Sequence, residues 1–138
     1  MPEFLPAQKL VIQSNLENVR QVEPFLRECC NNMRLDDATY HDMLLALTEA
    51  VTNSIRHGNG CNPNKKVEIS MEENNGQLHV KVHDEGCGFD HQQVPDPTAP
   101  HLKYQPNGRG LYLMRELSQN MRYADNGRCV EMSFRLKP

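Results

Sequence analysis

Glu49 and Asn53 lie one helical turn apart in the stretch LTEAVTNSIRHGNG, and their types can act together on a metal-bound ligand. The amide oxygen of asparagine is a hard donor suited to a small divalent cation, and a carboxylate four residues earlier is a base on the same helix face. At about 100° per residue, Leu44, Leu47, Val51 and Ile55 fall in one narrow apolar stripe, while Glu49, Asn53, Arg56 and His57 gather on the far side. Taken alone, such a face is compatible with simple solvation. Two glycine-rich turns follow it in order, Asp84-Glu85-Gly86-Cys87-Gly88 and Gly108-Arg109-Gly110. Asp84 reads either as a recognition carboxylate or as an ordinary turn aspartate at a strand end. Gly108 and Gly110 precede a predicted helix whose first amides and dipole favour phosphate, the alternative being a helix-entry turn without a ligand.

These residues need elements to position them. Leu10-Val11-Ile12 between Pro6 and Ser14 predicts a short strand over 9–13. Ser14-Asn15-Leu16-Glu17 is a capping-box pattern, and Val19, Val22, Leu26, Cys29, Cys30 and Met33 follow at helical spacing, predicting a helix over 15–32 that Pro24 kinks or divides. A second helix, over 37–57, starts at Asp36-Asp37 and stops before Gly58-Asn59-Gly60. The period then changes to two. Val67, Ile69 and Met71, a turn at Asn74-Asn75-Gly76, and Leu78, Val80 and Val82 make a hairpin whose second strand runs into Asp84. Residues 89–107 carry Pro95, Pro97, Pro100 and Pro106 and read as a long irregular segment, which in a compact domain is usually functional. A third helix over 111–119 is expected to bury Leu113, Met114 and Leu117. Tyr123 then falls on a short strand, Asp125-Asn126-Gly127 on a hairpin turn, and Val130, Met132, Phe134 and Leu136 alternate along the last strand. The sum is an α+β two-layer sandwich, a mostly antiparallel sheet with helices on one face.

Composition removes several classes. A chain of 138 residues with 38% hydrophobic and 24% charged residues is ordinary for one globular domain over 1–138. Its net charge of -3, with Lys and Arg scattered, does not suggest direct nucleic-acid binding. The five cysteines, Cys29, Cys30, Cys61, Cys87 and Cys129, form no C-x-x-C pair and read as free thiols, which suits a reducing cytoplasm. The start of the chain lacks signal-peptide character, and no apolar run is long enough to span a membrane. His41, His57, His79, His83, His91 and His101 show no zinc spacing, and His79 and His83 share a strand face. The P-loop, the G-x-G-x-x-G dinucleotide turn and the protein-kinase signatures are all missing.

Taken jointly, Glu49-x-x-x-Asn53 with His57-Gly58-Asn59, Asp84-x-Gly86-x-Gly88 and Gly108-x-Gly110 resemble the N box and the two glycine boxes of the GHKL ATPase superfamily. The flanks Thr48-Glu49-Ala50-Val51-Thr52-Asn53, Gly88-Phe89-Asp90 and Gly110-Leu111-Tyr112-Leu113-Met114 resemble the bacterial anti-sigma factor serine/threonine kinases. The resemblance spans nearly the whole chain and implies a Bergerat, histidine kinase-like ATPase fold binding ATP or ADP with Mg2+. It implies Asn53 as the metal ligand and Glu49 as the catalytic base. Asp84 would accept from adenine's amine, with Gly86 and Gly88 turning closely around the base. His57, Gly108, Arg109, Gly110 and Leu111 would complete the nucleotide site, and residues 89–107 would form its lid. The implied partners are a sigma factor and a STAS-type anti-anti-sigma factor, the chain being a homodimer. A second class stays open: a nucleotide-gated binding module with little or no phosphotransfer. Where family members often place a threonine in the final strand beside adenine, this chain offers Cys129, Glu131 and Ser133.

Overall fold

Val67, Ile69 and Met71 on one strand and Leu78, Val80 and Val82 on the next give each strand a face that must leave water. A computed structural model describes residues 8–31, 35–86 and 106–136 and shows how that requirement is met. Strands β1 (Gln8–Gln13), β2 (Lys66–Asn74), β3 (Gln77–Asp84), β4 (Asn120–Ala124) and β5 (Cys129–Arg135) form one antiparallel sheet in the order β1-β2-β3-β5-β4. The β2–β3 turn is tight because Asn75 and Gly76 both adopt positive φ, 54° and 74°, as a two-residue hairpin of matching twist demands. Its register pairs Val67 with Asp84, which puts the aspartate on the apolar face.

That face is covered by helices α1 (Val22–Cys30), α2 (Asp37–Asn53) and α3 (Pro106–Leu117), which completes the predicted α+β sandwich. The α2 stripe is as expected for Leu47, Val51 and Ile55, all fully buried, with Leu44 half-buried against the core. Met43, Ala46 and Ala50 are buried too, because α3 packs beside α2 and closes a second side of it.

The helix boundaries differ from the predicted ones in informative ways. The first predicted helix is a 3-10 segment, Leu16–Gln21, followed by α1. The division precedes Pro24, which sits in the first turn of α1 where its missing N–H is not needed. Asn15, not Ser14, caps the 3-10 segment by accepting from the Glu17 amide. The second helix does not stop at 57: Ser54–Gly58 continue it as one wider π turn. The third begins at Pro106, five residues before Leu111, and ends at Leu117. Pro106 and Asn107 are thus helical, while residues 87–105 lie outside the described residues, the predicted lid's remainder included. Among its described side chains Met114 is buried, with Leu111 and Leu117 against the core; Leu113 is only half-buried.

One polar side chain joins these layers. Asn59, only 4% exposed, donates to Ser14 Oγ at the end of β1 (2.6 Å) and to the Lys66 carbonyl at the start of β2 (3.0 Å). Its Oδ1 accepts from the Glu85 amide just past β3 (2.9 Å), and Ser14 Oγ in turn donates to the Lys65 carbonyl. Removing this carboxamide strands several buried groups at once. Asn59→Ala is therefore expected to lower unfolding stability by about 2–4 kcal/mol. Urea denaturation with an unchanged m value checks it; a loss below about 0.5 kcal/mol would contradict the junction.

Candidate functional site

Between α2, α3 and the inner face of the sheet lies a cavity of about 230 Å³. Ala50, Leu111, Met114 and Val130 make it mostly apolar, Asp84 forms one polar end, and Asn53 and His57 stand on the α2 side. The β4–β5 hairpin closes it with Tyr123, Gly127 and Arg128. Burial pushes the Tyr123 hydroxyl up to about 12, so it stays protonated at all physiological pH.

Asp84 is 6% exposed, an unusual place for a carboxylate. The wider π turn at Ser54–Gly58 brings Gly58 directly against it, so close that a Cβ on Gly58 would overlap the carboxylate. Gly86 packs against Gly58 beside the same carboxylate, and a Cβ there would overlap the Gly58 carbonyl. Both glycines are thus required by close packing. Asp84 Oδ1 accepts from the Gly86 amide (2.8 Å). Burial raises the Asp84 pKa from its ordinary value, opposed by that amide and by His83, Arg128 and Lys65.

Glu49 and Asn53 lie side by side on α2 as the spacing predicts, and Gly110 of α3 faces both. A Cβ on Gly110 would stand 2.9 Å from Glu49 Oε2 and 3.5 Å from Asn53 Nδ2. The Asn53 amide also points at Met114 Sδ (3.7 Å). Gly108 and Gly110 do not precede the helix; both lie in its first two turns. At Gly110, packing against α2 outweighs the roughly 1 kcal/mol that a glycine costs a helix. For Gly110 the structure supplies a close approach to the Glu49 carboxylate. Gly88 and the Arg109 side chain lie outside the described residues.

Among the last-strand residues, Glu131 faces away from the cavity and pairs with Lys81 (3.5 Å) and Arg122. Cys129 and Ser133 share its side by alternation, and Val130 takes the cavity side. Sequence reasoning missed Gly58, Met114, Tyr123 and Arg128 as site residues. Gly58 and Met114 carried a signal, the one adjacent to His57 in the quoted motif and the other in the stretch that follows Gly110.

A two-layer α+β domain with an apolar slot, a buried carboxylate at one end and a Glu/Asn pair at its edge defines a class of small-ligand domain. The chain belongs to the histidine kinase-like ATPase domain family, which it matches over residues 12–134. It is 24% identical to the serine-protein kinase RsbW of Oceanobacillus iheyensis, over 67% of this chain and 62% of that one. It is 32% identical to RsbW of Bacillus subtilis (59% and 54% covered) and 36% identical to the anti-sigma F factor of Geobacillus kaustophilus (58% and 55%). The matches thus span between 54% and 62% of these relatives' own length. The fold matches a crystal structure of the RsbU and RsbW domains of a Mycobacterium tuberculosis protein, with a TM-score of 0.66 at 16% identity, covering 96% of this chain and 32% of that one. Among the described residues no helix is long and apolar enough to cross a membrane.

The raised Asp84 pKa has a stability consequence. A carboxyl that holds its proton more tightly when folded penalises the folded state once ionised; the penalty grows as pH rises from the unfolded to the folded pKa and is complete above the latter. Asp84→Asn is therefore expected to keep or raise the melting temperature at pH 7, with the advantage shrinking as pH falls through the Asp84 titration. Thermal melts of both proteins between pH 4 and 8 (about the range in which proteins are most stable) check the sign. A variant less stable at pH 7 than at pH 4, relative to the parent, would reverse it.

Proposed function

We propose that the chain is an ATP-dependent serine/threonine protein kinase and anti-sigma factor, acting on a STAS-type anti-anti-sigma partner. The observation that carries this reading is the joint placement of Glu49 and Asn53, against Gly110, beside a slot whose other polar end is Asp84. The apolar slot suits a flat heterocycle, and a buried carboxylate suits the exocyclic amine of adenine as a hydrogen-bond donor. Among the described residues no three His, Cys, Asp or Glu side chains are grouped to hold a metal. A magnesium ion at Asn53 would accordingly draw its other ligands from phosphate and water, which matches its preference for few protein donors. When bound, it would neutralise charge developing on the transferred group. Glu49, one turn earlier on the same face, takes the proton of the partner's hydroxyl as that oxygen bonds to the terminal phosphorus and ADP departs. His57 and Leu111 border the same slot and complete the nucleotide contacts with Gly86, Gly88, Gly108, Arg109 and Gly110.

The relatives named serine-protein kinase and anti-sigma F factor support the same reading and its partners, a sigma factor held inactive and an antagonist that releases it. In this proposal the single domain works as a cytoplasmic homodimer. The competing module reading keeps nucleotide binding and drops the transfer. The two separate cleanly on incubation with ATP, Mg2+ and STAS-domain proteins, followed by mass spectrometry for phosphoserine and phosphothreonine.

Glu49→Gln retains size and polarity but no basicity, and is expected to slow transfer about 10²–10⁴-fold while ADP affinity persists. Asn53→Ala should instead damage magnesium-dependent ATP binding itself. Transfer at the parental rate by Glu49→Gln would remove the base assignment, and no transfer by the parent to any partner would favour the module. Asp84→Asn is expected to weaken ADP binding about ten- to a hundredfold by calorimetry, the worth of one charge-assisted hydrogen bond.

A further inference from the structure

Two backbone clasps hold the turn that carries Asp84, and the second comes from a residue outside the three sequence boxes. On the α2 side Asn59 Oδ1 accepts from the Glu85 amide at 2.9 Å. On the hairpin side Arg128 Nε donates to the Gly86 carbonyl at 2.7 Å, while the Arg128 carbonyl accepts from the Asp84 amide at 2.9 Å. Arg128 thus brackets Asp84-Glu85-Gly86 with its backbone at one end and its side chain at the other. We propose that Arg128 is a positioning residue for the nucleotide base, clasping from the β4–β5 hairpin the backbone turn that presents Asp84. It rests on the reading of the cavity as a nucleotide site.

Three further observations support the assignment. Asp125, Asn126 and Gly127 all have positive φ (51°, 56° and 86°), so three successive left-handed residues deliver Arg128 to the cavity wall. The guanidinium is itself held, with Nη1 at 3.6 Å from Asp125 Oδ1, and Asp125 Oδ2 is fixed at 2.7 Å by His83 Nε2 across the sheet. A hydrogen bond from a guanidinium to a carbonyl is charge-assisted, and the rigid fork sets its direction in a way a lysine ammonium cannot. The clasp makes Asp84 ready before any ligand arrives, so binding does not have to order the turn. The same guanidinium, together with His83 and Lys65, favours the ionised form of Asp84 against burial, and His57 borders the same cavity.

Geometry and charge can be separated experimentally. Arg128→Met removes both; Arg128→Lys retains the charge and loses the fork. ADP affinity by calorimetry, KM and kcat for ATP, and adenosine affinity as a function of pH are measured for each, with Asp84→Asn as reference. Adenosine carries no phosphate, and the part of its acid limb that Asp84→Asn abolishes is the part that reports Asp84. The expected result for Arg128→Met is roughly tenfold weaker ADP binding, a rise in KM that outweighs any change in kcat, and an acid limb moved to higher pH. Arg128→Lys should return the limb toward its parental position while affinity stays low. A merely structural role would move neither the limb nor the KM-to-kcat balance in this pattern. Parental ADP affinity and an unmoved limb in Arg128→Met, with Asp84→Asn clearly weakened, would overturn the clasp alone. Parental affinity in Asp84→Asn as well would overturn the base recognition on which the clasp depends.

Discussion

A carboxylate taken out of water at the end of a strand constrains everything within reach of it. Asp84 is on the inner face because the β2–β3 register pairs it with Val67, and its neighbours have to make up for lost hydration. The answer is largely backbone: the Gly86 amide on its oxygen, and two glycines whose missing Cβ atoms let the chain close around it. The π turn that ends α2 follows from the same demand, since it brings Gly58 against the carboxylate and Asn59 against the strand ends. An ionised Asp84 still costs the fold something, as its raised pKa records, and such a cost is a common mark of a site shaped for binding.

The second constraint is the contact of α2 with α3. Ala46 and Ala50 keep that side of α2 low, Met114 fills the space above, and Gly110 passes close to Glu49 and Asn53. A polar pair that would otherwise be a solvated helix face is thereby drawn to the edge of an apolar slot. Small residues here do two things at once: they permit helix packing, and they fix where a carboxylate and a carboxamide can point.

The other face of the sheet is built on different terms. Lys9 with Glu68, Lys81 and Arg122 with the half-buried Glu131, and His83 with Asp125 of the β4–β5 turn lie on that face as ion pairs reached by solvent, each of small energetic weight in water. The stability of the domain therefore rests on the helix-covered face, where the cavity also lies.

Local patterns were legible in the sequence because they are recorded every two or four residues. Alternation in β2 and β3, the Asn75-Gly76 and Asp125-Gly127 turns, the apolar stripe of α2 and the pairing of Glu49 with Asn53 all survive in the structure. What local patterns misplaced was the start of α3: Gly108 and Gly110 read as a turn that precedes the helix, yet both are helical, and Gly110 packs closely against Glu49 and Asn53 of α2. The capping role of Ser14 failed for a related reason, its hydroxyl being engaged by Lys65 and Asn59, residues more than forty positions away. Gly58 and Asn59 read as turn residues and Arg128 was not singled out, since the packing that gives each its role forms only after the sheet has closed. Residue types and periodicity determined the layers and the polar pair; only the closing of helix end, strand end and hairpin around one buried carboxylate decided the site.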